Sequence, residues 1–83
     1  MSQNRLHPTD RVKVVVSLGS ETYIFHGSGF NTIDEAIRTA FDASPFSNVN
    51  IEDCVFTVQN IDTATSARYR VNAGNNVRIL PVE

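Results

Sequence analysis

Apolar and polar residues alternate early in the chain with the period of two that is typical of β-strands. Over residues 11–18 the alternation creates one wholly apolar face, formed by Val12, Val14, Val16 and Leu18. Gly19-Ser20 suits a two-residue turn, because Gly readily adopts the positive φ that such turns require. The turn places Val15 opposite Ile24 and Lys13 opposite His26. The pattern therefore predicts a β-hairpin whose second strand ends before Gly27.

The apolar spacing then changes to that of an amphipathic helix. One stripe is formed by Ile33, Ala36, Ile37, Ala40 and Phe41. Thr32 and Glu35 have the spacing of a capping box, in which each residue satisfies a free amide at the start of the helix. Ser44-Pro45 is a stop signal, because Pro disfavours helical geometry in the residue before it. We expect a helix that begins after Thr32 and packs its apolar stripe on the hairpin.

The rest of the chain predicts three more strands. Residues 54–59 alternate, with Cys54, Phe56 and Val58 on one side. Residues 67–72 and 77–82 flank Gly74-Asn75 and predict a second hairpin in which Tyr69 faces Leu80. Pro81 cannot donate a backbone hydrogen bond, so we place the last strand at a sheet edge.

These elements predict an α+β fold with the order ββαβββ. At 83 residues the chain has room for one domain, which we assign to residues 11–83 after a flexible leader at residues 1–10. The leader has neither an apolar run nor a basic amphipathic pattern, so it predicts no targeting signal.

Charge and cysteine content narrow the range of functions. Nine acidic and seven basic side chains give a formal net charge of -2, so no global positive field attracts nucleic acid or an anionic membrane. Cys54 is the single cysteine, which excludes an intramolecular disulfide and a thiolate-rich metal site. No apolar run reaches the length of a membrane span. We expect a cytoplasmic protein without a cofactor.

The first half of the domain resembles the β-grasp fold of ubiquitin-like proteins. The similarity lies in Val12-Lys13-Val14-Val15-Val16 through Gly19 to Phe25, and in Asn31-Thr32-Ile33-Asp34-Glu35-Ala36-Ile37. It implies one helix packed on a mixed sheet of four or five strands, with a central parallel pair. The chain ends Leu80-Pro81-Val82-Glu83, where ubiquitin has an activated Gly-Gly tail. The resemblance therefore implies a protein-binding module rather than a conjugated modifier or sulfur carrier.

Such modules commonly bind partners through the sheet face that points away from the helix. In this chain the predicted face has Val15 and Ile24 at its centre, flanked by polar and basic side chains, a composition typical of contact surfaces. Its candidate protein-binding residues are Lys13, Val15, Thr22, Ile24 and His26. The partner is either another protein or a second copy in a homodimer. Exposed cross-strand apolar pairs without any partner are the alternative.

A second hypothesis assigns weak nucleic-acid binding to the last hairpin. Arg68, Arg70 and Arg78 concentrate positive charge there. Alternation puts Arg68 and Arg70 on one face but turns Tyr69 to the other, so charge and aromatic stacking do not share one platform. Solubilising arginines are the alternative interpretation.

No pattern of residues predicts catalysis or a metal site. Cys54 lies in a predicted strand, where a free thiol is usually a small buried apolar group. Neither His7 nor His26 is brought near it by local spacing. The Gly27-Ser28-Gly29 segment before the helix could bind an anion, but a strand-to-helix turn needs Gly for geometry alone. We therefore predict that the protein is not an enzyme.

Overall fold

A computed structural model describes residues 6–73 and 77–82 of the chain, with side chains for residues 6–71. The five strands are β1 (Val12–Leu18), β2 (Glu21–Gly27), β3 (Val55–Asn60), β4 (Thr65–Ala73) and β5 (Val77–Val82). Helix α1 (Ile33–Ala43) follows β2, and a short 3₁₀ helix (Ile51–Asp53) precedes β3. The predicted order ββαβββ is confirmed.

The first hairpin has the predicted register. Val15 lies opposite Ile24, and Lys13 lies opposite His26. Gly19 has a φ of 60°, a conformation that costs Gly little and other residues more. β2 is one residue longer than predicted, since Gly27 pairs with Val12. The register itself follows from the pattern of the two strands and the turn between them.

Helix α1 begins and packs as predicted. The Thr32 hydroxyl accepts a hydrogen bond from the Glu35 amide at 3.1 Å, and the Glu35 carboxylate accepts one from the Asn31 amide at 2.7 Å. The predicted apolar stripe is buried along its length, at Ile33, Ala36, Ile37, Ala40 and Phe41. The Phe41 ring meets that of Phe56 on β3 edge-on, with ring centroids 6.4 Å apart. The helix thus covers one face of the sheet.

The sheet has the strand order β2-β1-β3-β4-β5, and all four pairings are antiparallel. The class α+β is confirmed, with one helix on a five-stranded sheet, whereas the prediction of a mixed sheet is wrong. The reason lies in the connection through α1. This connection places β3 on the side of β1 opposite to β2. β2 and β3 are therefore parallel to each other, but each of them pairs with β1, which runs in the opposite direction. The strands after β3 follow through short turns, which join antiparallel neighbours.

The last hairpin differs from its prediction by one residue. Tyr69 lies opposite Pro81 rather than Leu80, and Ala73 lies opposite Val77. Three residues therefore connect β4 and β5 instead of two, which shifts the register; the predicted Gly74-Asn75 turn lies outside the described residues. β5 is an edge strand, as predicted from Pro81.

The core lies between the sheet and α1. Its largest fully buried side chain is Phe56, and Cys54, Tyr69 and Val71 are buried with it. Leu6 packs against this core, and its amide donates a hydrogen bond to the Asn31 carbonyl at 2.9 Å. Part of the segment predicted as a leader thus contacts the domain.

Candidate protein-binding face

The helix leaves one side of the sheet uncovered, and we call this side the open face. Strand periodicity assigns its residues, because most of the side chains that alternate with them are buried or half-buried on the helix side of the sheet. The open face of β1 to β4 consists of Lys13, Val15, Ser17, Thr22, Ile24, His26, Val55, Thr57, Gln59, Ser66, Arg68 and Arg70. All five residues predicted for protein binding lie on it.

The strand registers align these residues in rows across the sheet. One row runs from β2 to β4 through Ile24, Val15, Thr57 and Arg68. The neighbouring row runs through Thr22, Ser17, Val55 and Arg70. Neighbouring strands are about 4.8 Å apart, so each row is about 14 Å long. Both rows end at an arginine.

The part of the open face near β2 is apolar. Ile24 is 50% exposed, the most exposed of the large apolar side chains described, and Val15 beside it is half-buried. Val55 lies diagonally across from Val15, since Ser17 pairs with Val55 and Val15 pairs with Thr57. Sequence reasoning did not include Val55 among the candidates. The alternation of Val55 with Cys54 and Phe56 indicates that Val55 lies on the open face. The position of Val55 near Val15, however, depends on the register between β1 and β3.

The charged residues of the open face are all basic. Lys13, Arg68 and Arg70 lie there, and none of the positions given above for β1 to β4 carries a carboxylate. The structure thus brings the two sequence-predicted sites, the hairpin residues and the arginines of β4, onto one surface. For Arg78 the structure describes the backbone alone, which pairs with Asn72.

The helix side has the opposite charge. It carries the carboxylates of Asp34, Glu35, Asp42, Glu52 and Asp53. Arg38 is the basic residue among them, and its guanidinium contacts Asp34 at 2.8 Å. Although the net charge of the chain is small, its charges are therefore separated between an acidic helix side and a basic open face.

The side chains of Cys54 and the two histidines differ in their exposure to solvent. Cys54 is fully buried, and this burial raises the pKa of its thiol, with a further increase from the charge of Asp53. His7 and His26 are exposed. Within the described ranges, no three His, Cys, Asp or Glu side chains are grouped as metal ligands would be.

The chain matches no family model, no curated protein and no solved structure. The β-grasp resemblance is therefore not confirmed and rests on the first hairpin and the capped helix. Helices long and apolar enough to cross a bilayer are absent from the described part of the chain.

Proposed function

We propose that the protein is a non-catalytic protein-binding domain, an adaptor or regulatory module that binds through its open face. The observation that supports this proposal is an apolar patch bordered by basic and polar residues. Val15 lies beside Ile24 in the patch, and Val55 lies diagonally across from Val15. An apolar centre with a polar rim is the usual anatomy of a protein interface. The proposed binding residues are Lys13, Val15, Thr22, Ile24 and His26, together with Val55.

The position of Ile24 supports a role in contact rather than in folding. It lies on β2, an edge strand, and half of its surface is accessible to solvent. Val15 lies on β1 between two strands, so its side chain contributes to the sheet itself. A polar substitution at Ile24 should therefore weaken binding with a smaller effect on the stability of the fold than a polar substitution at Val15. The partial resemblance to ubiquitin-like modules is compatible with the use of this face.

The test identifies which proteins the immobilised domain retains. Further copies of the domain count among these proteins. We expect the wild type to retain at least one protein that Ile24→Lys does not retain. Thr39→Lys is the control, because Thr39 is exposed on α1, on the other side of the sheet, and the substitution introduces the same charge away from the open face. All three proteins should unfold at similar temperatures, since exposed substitutions change stability little. Identical retention by wild type and Ile24→Lys would contradict the proposal.

The basic rim supports nucleic-acid binding as a second candidate function. Arg68 and Arg70 are exposed and share a carboxylate-free surface with Lys13. Single-strand binding usually adds aromatic stacking, however, and Tyr69 is buried on the helix side. Phosphate contacts would produce binding to oligonucleotides that weakens steeply with salt, and Arg68→Glu with Arg70→Glu would reduce that slope. Absence of binding at low salt would exclude this function.

A further inference from the structure

We infer that the partner of the open face is a second copy of this chain, bound head to tail through a groove on its helix side. The inference rests on the proposed function and names the partner of the same surface. It follows from two features that the structure places on opposite layers of the domain. One is the exposed Ile24 with basic residues on neighbouring strands, and the other is a groove of mixed polarity that exposes apolar side chains beside carboxylates.

The groove lies between the second half of α1 and the segment that leads into the 3₁₀ helix. It encloses about 340 Å³ and is lined by Arg38, Phe41, Asp42, Val49, Asn50 and Ile51. Val49 is 39% exposed and Ile51 is half-buried, so the groove presents apolar side chains to solvent. Ile24, which stands out from the open face, is of a size that fits such a groove.

The charges around the two surfaces are complementary. Asp42 lines the groove, and Glu52 and Asp53 follow Ile51 as exposed carboxylates. Arg38 also lines the groove, but its guanidinium is paired with Asp34 at 2.8 Å. On the open face the apolar patch is flanked by Lys13 and, at the far ends of the rows, by arginines. A head-to-tail contact that inserts Ile24 would therefore bring carboxylates towards Lys13 and the arginines of β4, which lie on the β1 side of Ile24. Opposite charges favour both encounter and register.

The same charges disfavour a symmetric dimer of two open faces. Such an interface brings the same patch of both copies together. Lys13, Arg68 and Arg70 of both copies would then share one interface in which no carboxylate stands among the positions described for β1 to β4. A head-to-tail contact uses two different surfaces, so each bound copy leaves one open face and one groove available. Association continues until a ring closes or a chain of copies grows.

The experiment uses two variants that each remove one surface. Ile24→Glu places a carboxylate towards the acidic groove, and Val49→Lys places an ammonium group towards the basic rim. Light scattering measures the mass of each protein over a range of concentrations. We expect the wild type to rise above the monomer mass of 9.2 kDa with concentration, and each variant alone to stay at it. An equimolar mixture should reach twice the monomer mass and no more, because each variant supplies the surface that the other lacks.

Salt and folding controls complete the test. At roughly 1 M ionic strength, where the Debye length is about 3 Å, wild-type association should weaken. Thr39→Lys, at an exposed position of α1 outside the lining of the groove, should associate as the wild type does. The thermal midpoint of each variant checks its fold, and Ile24→Ser replaces Ile24→Glu if the latter unfolds early.

Two results would overturn the inference. If the wild type is monomeric at every concentration, the partner is not a second copy, and the retention experiment above still decides whether the open face binds another protein. If Val49→Lys associates like the wild type while Ile24→Glu does not, the open faces pair symmetrically. Loss of retention on Ile24→Lys, without self-association, would leave the proposed function supported and the head-to-tail contact excluded.

Discussion

Ile24 and Arg68 stand at opposite ends of one cross-strand row on the open face. They are 44 residues apart in sequence, and the row between them passes through Val15 and Thr57. The row joins the most exposed large apolar side chain to an exposed guanidinium on a surface about 14 Å wide. A partner that covers Ile24 therefore extends towards the positive charge of β4.

Charge reversal at Arg68 should weaken association through the open face. Rim ion pairs contribute about 0.2–1 kcal/mol, so we expect Arg68→Glu to raise the dissociation constant by up to about fivefold. Its association should also depend less on salt. Arg68→Lys is the matched control, because it keeps the charge and should stay close to the wild type. The measurement is a binding titration at several salt concentrations, and an unchanged dissociation constant for Arg68→Glu would exclude Arg68 from the interface.

The cap at Thr32 should contribute measurably to stability. Thr32→Ala removes the hydroxyl that accepts from the Glu35 amide at 3.1 Å, so we expect a loss of about 1 kcal/mol in the free energy of unfolding. Thr39→Ala, on the exposed side of the same helix, should be neutral or slightly stabilising, because Ala has the higher helix propensity. Urea denaturation of both variants measures the difference. Equal losses would show that the cap contributes nothing specific.

The ion pair between Arg11 and Asp62 should make stability depend on acid pH. The Arg11 side chain and amide donate hydrogen bonds to the Asp62 carboxylate, at 2.9 Å and 2.6 Å, and they lower the pKa of that carboxyl. A lowered pKa in the folded state stabilises the protein above the ordinary Asp pKa of about 4, and the stabilisation is lost as the pH falls towards the lowered value.

Asp62→Asn tests this dependence because it removes the charge and keeps the shape. We expect the variant to be less stable than the wild type at neutral pH, by a small margin since both side chains are exposed to solvent. The two stability curves should converge as the pH falls below about 4. Thermal unfolding across that pH range measures the gap. A gap that persists unchanged at low pH would show that Asp62 acts through something other than its charge.

The Cys54 thiol should be unreactive in the folded protein. Burial raises its pKa and excludes reagents, so modification requires opening of the core. We expect slow alkylation under native conditions and rapid alkylation in denaturant. Ile37→Val, which removes one buried methylene group and costs about 0.5–1.5 kcal/mol, should raise the native rate by about two- to tenfold. Native and denatured rates of similar size would show that the thiol is accessible.

The local sequence pattern was sufficient to predict structure where an element and its partner are adjacent in sequence. The register of the first hairpin followed from alternation and a two-residue turn, because the turn fixes which residues face each other. The cap and buried stripe of α1 followed from residues within one helix. The last hairpin shows the limit of this reasoning, since one additional connecting residue moved Tyr69 from Leu80 to Pro81.

The sequence by itself determined the class of fold, the order of its elements and which side chains alternate towards the helix. The tertiary structure alone decided that β3 pairs with β1, that the sheet is antiparallel throughout, and that Val55 and Arg68 join Val15 and Ile24 on one surface. The physical reason is that hydrophobic periodicity assigns each residue to a face but does not specify which strand lies beside it. Strand order depends instead on the crossover through α1, whose direction is decided by packing between residues far apart in the chain.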